Sequence, residues 1–148
     1  MTDIEFHVNL PHKLEFSCRL LRKAFRSGAK AIVVADPPTL AQLDRLLWEF
    51  SSTEFLPHCM ASGPELTTAR TPILLVDQLE QHAEHAPGSI LINLGQHVPE
   101  KFERFERFIE IASAESQDRL AALARWKHYK SRGYPLKQHN AANSGANG

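Results

Sequence analysis

The chain lacks most of the features that announce a chemistry. No apolar run reaches the roughly eighteen residues of a membrane-spanning helix. The opening Met-Thr-Asp-Ile-Glu is acidic where a secretory leader is basic and then apolar. Only two cysteines are present, Cys18 and Cys59. Together these absences give the expectation of a cytoplasmic protein. There are no internal repeats. No Gly-rich phosphate loop is present, neither a GxGxxG nor a GKT/GKS. Paired carboxylates on a strand end and a nucleophile–base–orienter set are missing too. The expectation is a protein without catalytic residues, cofactor or metal site.

Acidic residues are also missing from one end. Of the 17 basic and 17 acidic residues, six basic and no acidic ones follow Asp118. The first 118 residues therefore carry a balance of −6 and the last thirty +6. A neutral chain that sorts its charge this way presents a basic end to an acidic partner. The basic residues fall in Arg119-Leu-Ala-Ala-Leu-Ala-Arg-Trp-Lys-His-Tyr-Lys-Ser-Arg-Gly-Tyr134, which reads as one amphipathic helix closed by Gly133. Lys130 and Arg132 are accounted for by the helix dipole. Arg119 is too far from the C-terminus for that, and Trp126 is a large apolar ring among cations. This segment is the first candidate for a binding face.

Along the chain, Asp3 to Asn9 alternates as a strand does, and Lys13 to Ser27 carries Leu14, Cys18, Leu21 and Phe25 at helical spacing before Gly28. Ala29 to Ala35 is a β-branched run suited to a strand buried on both faces. Asp36-Pro-Pro-Thr39 opens the next helix with Thr39 as its expected N-cap, and Leu40, Leu43, Leu47 and Phe50 give that helix a core face. Ser51 to Met60 reads as an irregular connection in which Phe55 and Leu56 gather near Trp48. Thr71–Asp77 and Ser89–Leu94 read as two more buried strands. Pro99 to Ala114 has Phe102, Phe105, Phe108, Ile109 and Ala112 at helical spacing, with Glu110 on an exposed face. Pro135 to Gly148 is polar and Asn/Gly/Ala-rich, the composition of a disordered tail. The pattern predicts an α/β domain of three layers, a mostly parallel sheet with helices on both faces.

Three isolated features carry little. Asp36 ends a strand where α/β proteins place functional carboxylates, but Pro37 and Pro38 remove the amides that would cradle a phosphate. Cys59 beside His58 lacks an orienting third group. His82 and His85 supply at most two ligands of a metal site.

Taken together, several pieces resemble the chi subunit of bacterial DNA polymerase III holoenzyme, a clamp-loader accessory protein. They are Arg26-Ser-Gly-Ala-Lys30, Leu47-Trp48, Phe55-Leu-Pro-His58, Ile73-Leu-Leu-Val76, Ile90-Leu-Ile-Asn93 and, most specifically, Arg125-Trp-Lys-His-Tyr-Lys-Ser-Arg-Gly-Tyr134. The resemblance covers most of residues 3–134 and implies a single-domain Rossmann-like fold over 1–134, with 135–148 as a disordered polar tail. It implies a non-catalytic accessory subunit of a DNA polymerase. Such a subunit binds the acidic, Phe-terminated C-terminal tail of single-stranded-DNA-binding protein, and also a psi subunit that tethers it to the clamp loader. Carried over by position, Arg119, Arg125, Trp126, Lys127 and Lys130 would hold the tail, and Trp48 and Phe55 would contact psi. Leu123 stands where a member of the family carries an arginine, so Arg119 or Arg125 would meet the terminal carboxylate. The alternative is a direct nucleic-acid binder using the same basic, aromatic helix on phosphates and bases. Against it stands the net acidic remainder of the chain.

Overall fold

The computed structural model describes residues 2–49, 57–60, 72–79 and 89–141. In chain order they form β1 (Asp3–Leu10), α1 (Lys13–Arg26), β2 (Ala31–Val34), α2 (Pro37–Glu49), β3 (His58–Met60), β4 (Ile73–Val76), β5 (Ile90–Asn93), a 3-10 turn (Phe102–Arg104), β6 (Arg107–Ser113), α3 (Ser116–Ser131) and β7 (Leu136–Asn140). The seven strands lie in the order β3-β4-β2-β5-β6-β1-β7. Every pairing is parallel. This is a Rossmann-like α/β fold. No helix of the described residues is long and apolar enough to cross a membrane.

The layers follow from strand alternation. Residues of β2, β4 and β5 are buried on both faces, which is why those segments read as continuous apolar runs. Val33, Leu75, Ile92, Ile109 and Ile111 face α1 and α2, where Cys18, Leu21, Leu43 and Leu47 meet them. Ile4, Phe6, Leu91 and Phe108 face the other way, against Phe102, Ala122 and Tyr129. Burial pushes the Cys18 thiol up to about 11, so it packs as a small apolar group. α1 closes as expected with Gly28 at φ +83°.

Four expectations are corrected. Residues 99–114 are a short 3-10 turn followed by β6 rather than a helix. The Phe and Ile spacing fits either period, and pairing with β1 and β5 in the sheet interior decides for the strand. Residues 136–140 of the expected disordered tail are ordered as β7, which hydrogen-bonds along β1. Its polar sequence suits an edge strand, whose outer side faces water. His58–Met60 is a strand where an irregular connection was expected. Finally, Asp36 caps α2 in place of Thr39. Its carboxylate accepts from the Thr39 amide at 3.2 Å and the Thr39 hydroxyl at 2.8 Å. Those bonds hold the Asp36 carboxyl below its ordinary value. Phe50, Phe55, His82 and His85 lie outside the described residues, as does the reading of 61–70.

Glu110, in the middle of β6, is 0% exposed. Both of its oxygens accept, as a carboxylate does. Oε1 takes the Arg125 Nε–H and the Asn93 amide, each at 3.0 Å, and Oε2 takes the Tyr129 hydroxyl at 2.5 Å. Burial pushes the Glu110 carboxyl up, and Arg125, Tyr129 and Asn93 pull it back. Arg125 itself is 2% exposed. A second polar tie fixes the start of α3. Asp118 Oδ2 accepts from the Ser113 amide at 2.7 Å and from Lys13 Nζ at 3.0 Å, and Lys13 also donates to the Leu94 carbonyl.

Removing one partner of a buried ion pair strands the other, at a cost of about 3–5 kcal/mol. Arg125→Met should therefore lower the unfolding free energy by about 3 kcal/mol or more. The double variant Arg125→Met with Glu110→Leu should recover most of that loss in denaturant titrations; additive losses would contradict the pairing. Ending the chain at Tyr134 should expose the β1 edge. Sedimentation of the shortened chain should show association that rises with concentration, together with a lower denaturation midpoint.

Candidate binding groove

α3 is built the opposite way round from an ordinary surface helix. Its buried stripe is Asp118, Ala122, Arg125 and Tyr129, three polar residues and one alanine. Its leucines face outward, with Leu120 68% and Leu123 49% exposed. The inner stripe is polar because it answers Glu110 and the end of β6. Once Arg125 and Tyr129 are turned inward, the helical period leaves Leu120 and Leu123 no inward position. Asp118 in the first turn and His128 and Lys130 in the last suit the helix dipole, and Gly133 at φ +80° ends the segment.

The outward leucines form one wall of a groove of about 540 Å³. Arg119 and Trp126 line it from the same helix. Phe6 and Val8 of β1 form its floor, and Gln138 and Asn140 of β7 its far side. Trp126 is half-buried, its ring edge-on to Phe6 with centroids 5.2 Å apart. On α3, residues 119, 123, 126 and 130 recur at spacings of four, three and four, so they share one face. That face reads cation, leucine, tryptophan, cation. Arg119 and Lys130 are both exposed. Lys127 is exposed one position round the helix and does not line the groove.

Of the five residues expected to hold an acidic tail, Arg119 and Trp126 meet in the groove and Lys130 stands beyond it on the same face. Arg125 is inside the protein, committed to Glu110, and is removed from the set. The sequence could not place it, because a basic residue at that position looks the same whether it faces water or a buried carboxylate. Leu120, Phe6 and the β7 wall were not singled out, and Leu123 was noted only as standing where a family member carries an arginine, not as an apolar wall. A leucine pair beside charged neighbours reads as core, and β7 was read as disordered.

Trp48 stands apart. It is 56% exposed on α2, its ring 4.8 Å from that of His58 on β3. His58 in turn lies 3.1 Å from the Asp44 carboxylate. β3 and β7 are opposite edges of the sheet, six strand spacings or about 29 Å apart. The structure therefore carries two separate surfaces. Phe55, the other residue expected beside Trp48, lies outside the described residues.

Comparison with known proteins gives one consistent answer. Residues 1–137 match the model of the family described as DNA polymerase III chi subunit, HolC. The chain is 32% identical over 148 residues to the DNA polymerase III subunit chi of Pseudomonas aeruginosa, covering 94% of this chain and 96% of that protein. It is 27% identical over 127 residues to the protein of the same name from Haemophilus influenzae, covering 85% of each. With a family match over nearly the whole described structure and relatives of matching length, the chain belongs to the DNA polymerase III chi subunit family.

Proposed function

We propose that this protein is a non-catalytic replication adaptor. In this reading it takes the acidic, Phe-terminated tail of single-stranded-DNA-binding protein in the groove along α3, and meets a psi-type clamp-loader subunit through the Trp48 surface. The observation that carries the reading is the outward face of α3, with apolar Leu123 and Trp126 between the cations Arg119 and Lys130. An acidic chain that ends in an apolar residue asks for this arrangement. Its carboxylates are drawn by the cations, and its last side chain is desolvated against Trp126, Leu123 and Phe6. With Arg125 committed to Glu110, Arg119 is the candidate for the terminal carboxylate. The chemistry expected of an enzyme is not supported at Asp36, whose two oxygens are occupied as a helix cap. Exposure of Trp48 supports a second contact at the far edge of the sheet.

Attraction between exposed charges is screened within about 8 Å at 0.15 M salt and about 3 Å at 1 M. A fluorescent peptide copying the tail should therefore bind more weakly as salt rises, without losing its apolar component. Trp126→Ala should weaken it by about tenfold or more, equivalent to about 1.4 kcal/mol. Arg119→Glu should weaken it several-fold and flatten the salt dependence, while Trp48→Ala leaves it unchanged. Equal affinity in all three variants would discard the groove. Single-stranded oligonucleotide binding that outcompetes the peptide would favour the direct nucleic-acid reading instead.

A further inference from the structure

The opposite face of the same sheet edge carries a second feature. Glu5 and His7 sit two residues apart on β1, so both point toward the α1 side, away from the groove. His139 on β7 is the register partner of His7. Each of the three offers one ligand atom, and these atoms lie within 4.8 Å of one another. Glu5 Oε1 is 3.4 Å from His7 Nε2 and 2.7 Å from His139 Nε2. Two ligands of a tetrahedral zinc at 2.0–2.1 Å are separated by about 3.4 Å, which the Glu5–His7 pair already matches. Glu5 and His139 are at hydrogen-bond distance, and the His7 and His139 rings lie stacked with centroids 4.7 Å apart, so the half-exposed His139 ring must turn for both imidazoles to meet one ion; no movement of the backbone is needed. We propose that Glu5, His7 and His139 form a binding site for a first-row transition-metal ion of the zinc type, with an open fourth position for water.

The surroundings select among ions. Phe16 of α1 packs on the His7 ring, with centroids 4.9 Å apart, and steadies it. The second Glu5 oxygen, Oε2, lies 4.0 Å from Arg107 Nη2, so Oε1, which pairs with His139, is the oxygen an ion would take in place of that pairing. Arg107 and Lys137, the register partner of Glu5, also place positive charge nearby. That charge works against any cation, so binding there would rest on the imidazole nitrogens rather than on net charge. Magnesium and calcium, which need several oxygen ligands, are excluded by the two imidazoles. The site joins the two ends of the described chain, β1 and β7. An ion there would clip β7 to the sheet, and β7 supplies one wall of the groove on the other face.

Cobalt(II) titrated into the full chain without peptide tests the site, because tetrahedral cobalt absorbs in the visible and zinc displaces it. One cobalt per chain is expected, displaced by zinc and not by magnesium, with a rise in thermal midpoint when zinc is added. His139→Ala should weaken binding by about tenfold or more. That side chain is half exposed on an edge strand, so its loss leaves the core intact. Glu5→Gln, which keeps the size of the side chain, should weaken it as well. Absence of a cobalt spectrum would overturn the proposal and leave the trio as a hydrogen-bonded cluster. Undiminished uptake in both variants would also overturn it, by placing the ion elsewhere.

Discussion

The burial of one carboxylate sets the geometry of the half of the molecule that carries the groove. Glu110 sits in the interior of a parallel sheet, where an ionised group is costly unless each of its oxygens is met. Asn93 supplies one donor from the neighbouring strand, and α3 supplies the other two through Arg125 and Tyr129. Since those two residues are one turn apart on the helix, satisfying Glu110 fixes both where α3 lies and how it is rotated. Replacing such a pair by apolar residues is often neutral or stabilising in other proteins, so its value here lies in orientation more than in stability. The rotation has a visible cost: two leucines stand in water. That cost is offset if they bind something.

This explains why a helix with little apolar periodicity is nonetheless well placed. Its inner stripe answers a buried charge and its outer stripe leaves two leucines in water, so neither follows the usual rule of apolar inside and polar outside. The groove is completed from elsewhere. Phe6 arrives from the first strand and Gln138 and Asn140 from the last, so the groove requires both ends of the chain to be in register. The Trp48 surface lies at the other edge of the sheet, on elements that share none of these contacts. Under the proposed reading, surfaces at edges about 29 Å apart would let the two partners bind without either blocking the other.

The sheet was largely legible in the sequence, because Ala31–Val34, Ile73–Val76 and Ile90–Asn93 are short apolar runs that suit only buried parallel strands. The family was legible too, through Arg125–Tyr134 and its companions. Residues 107–113 were not, since Phe108, Ile109 and Ala112 satisfy a helical spacing as well as a strand, and a glutamate in the middle suggested an exposed face. The same misreading hid the role of Arg125. With Glu110 on a solvated helix there is no buried charge for Arg125 to meet, and it joins the exposed cations by default. β7 was missed because a polar edge strand has the composition of a tail; only its partner β1 makes it a strand. Arg119 and Trp126 stood out in the sequence because both depart from what a plain solvated helix needs, and the structure brings them to one groove.

The central claim is that the outward face of α3, and not the Trp48 surface, receives an acidic tail ending in phenylalanine. The chain has two tryptophans, one in each place, so their indole N–H signals in a nitrogen-15 correlation spectrum report the two surfaces separately. On addition of the tail peptide, the account predicts that the Trp126 signal shifts to saturation while the Trp48 signal stays where it is. A shift confined to Trp48, or none in either, would contradict it.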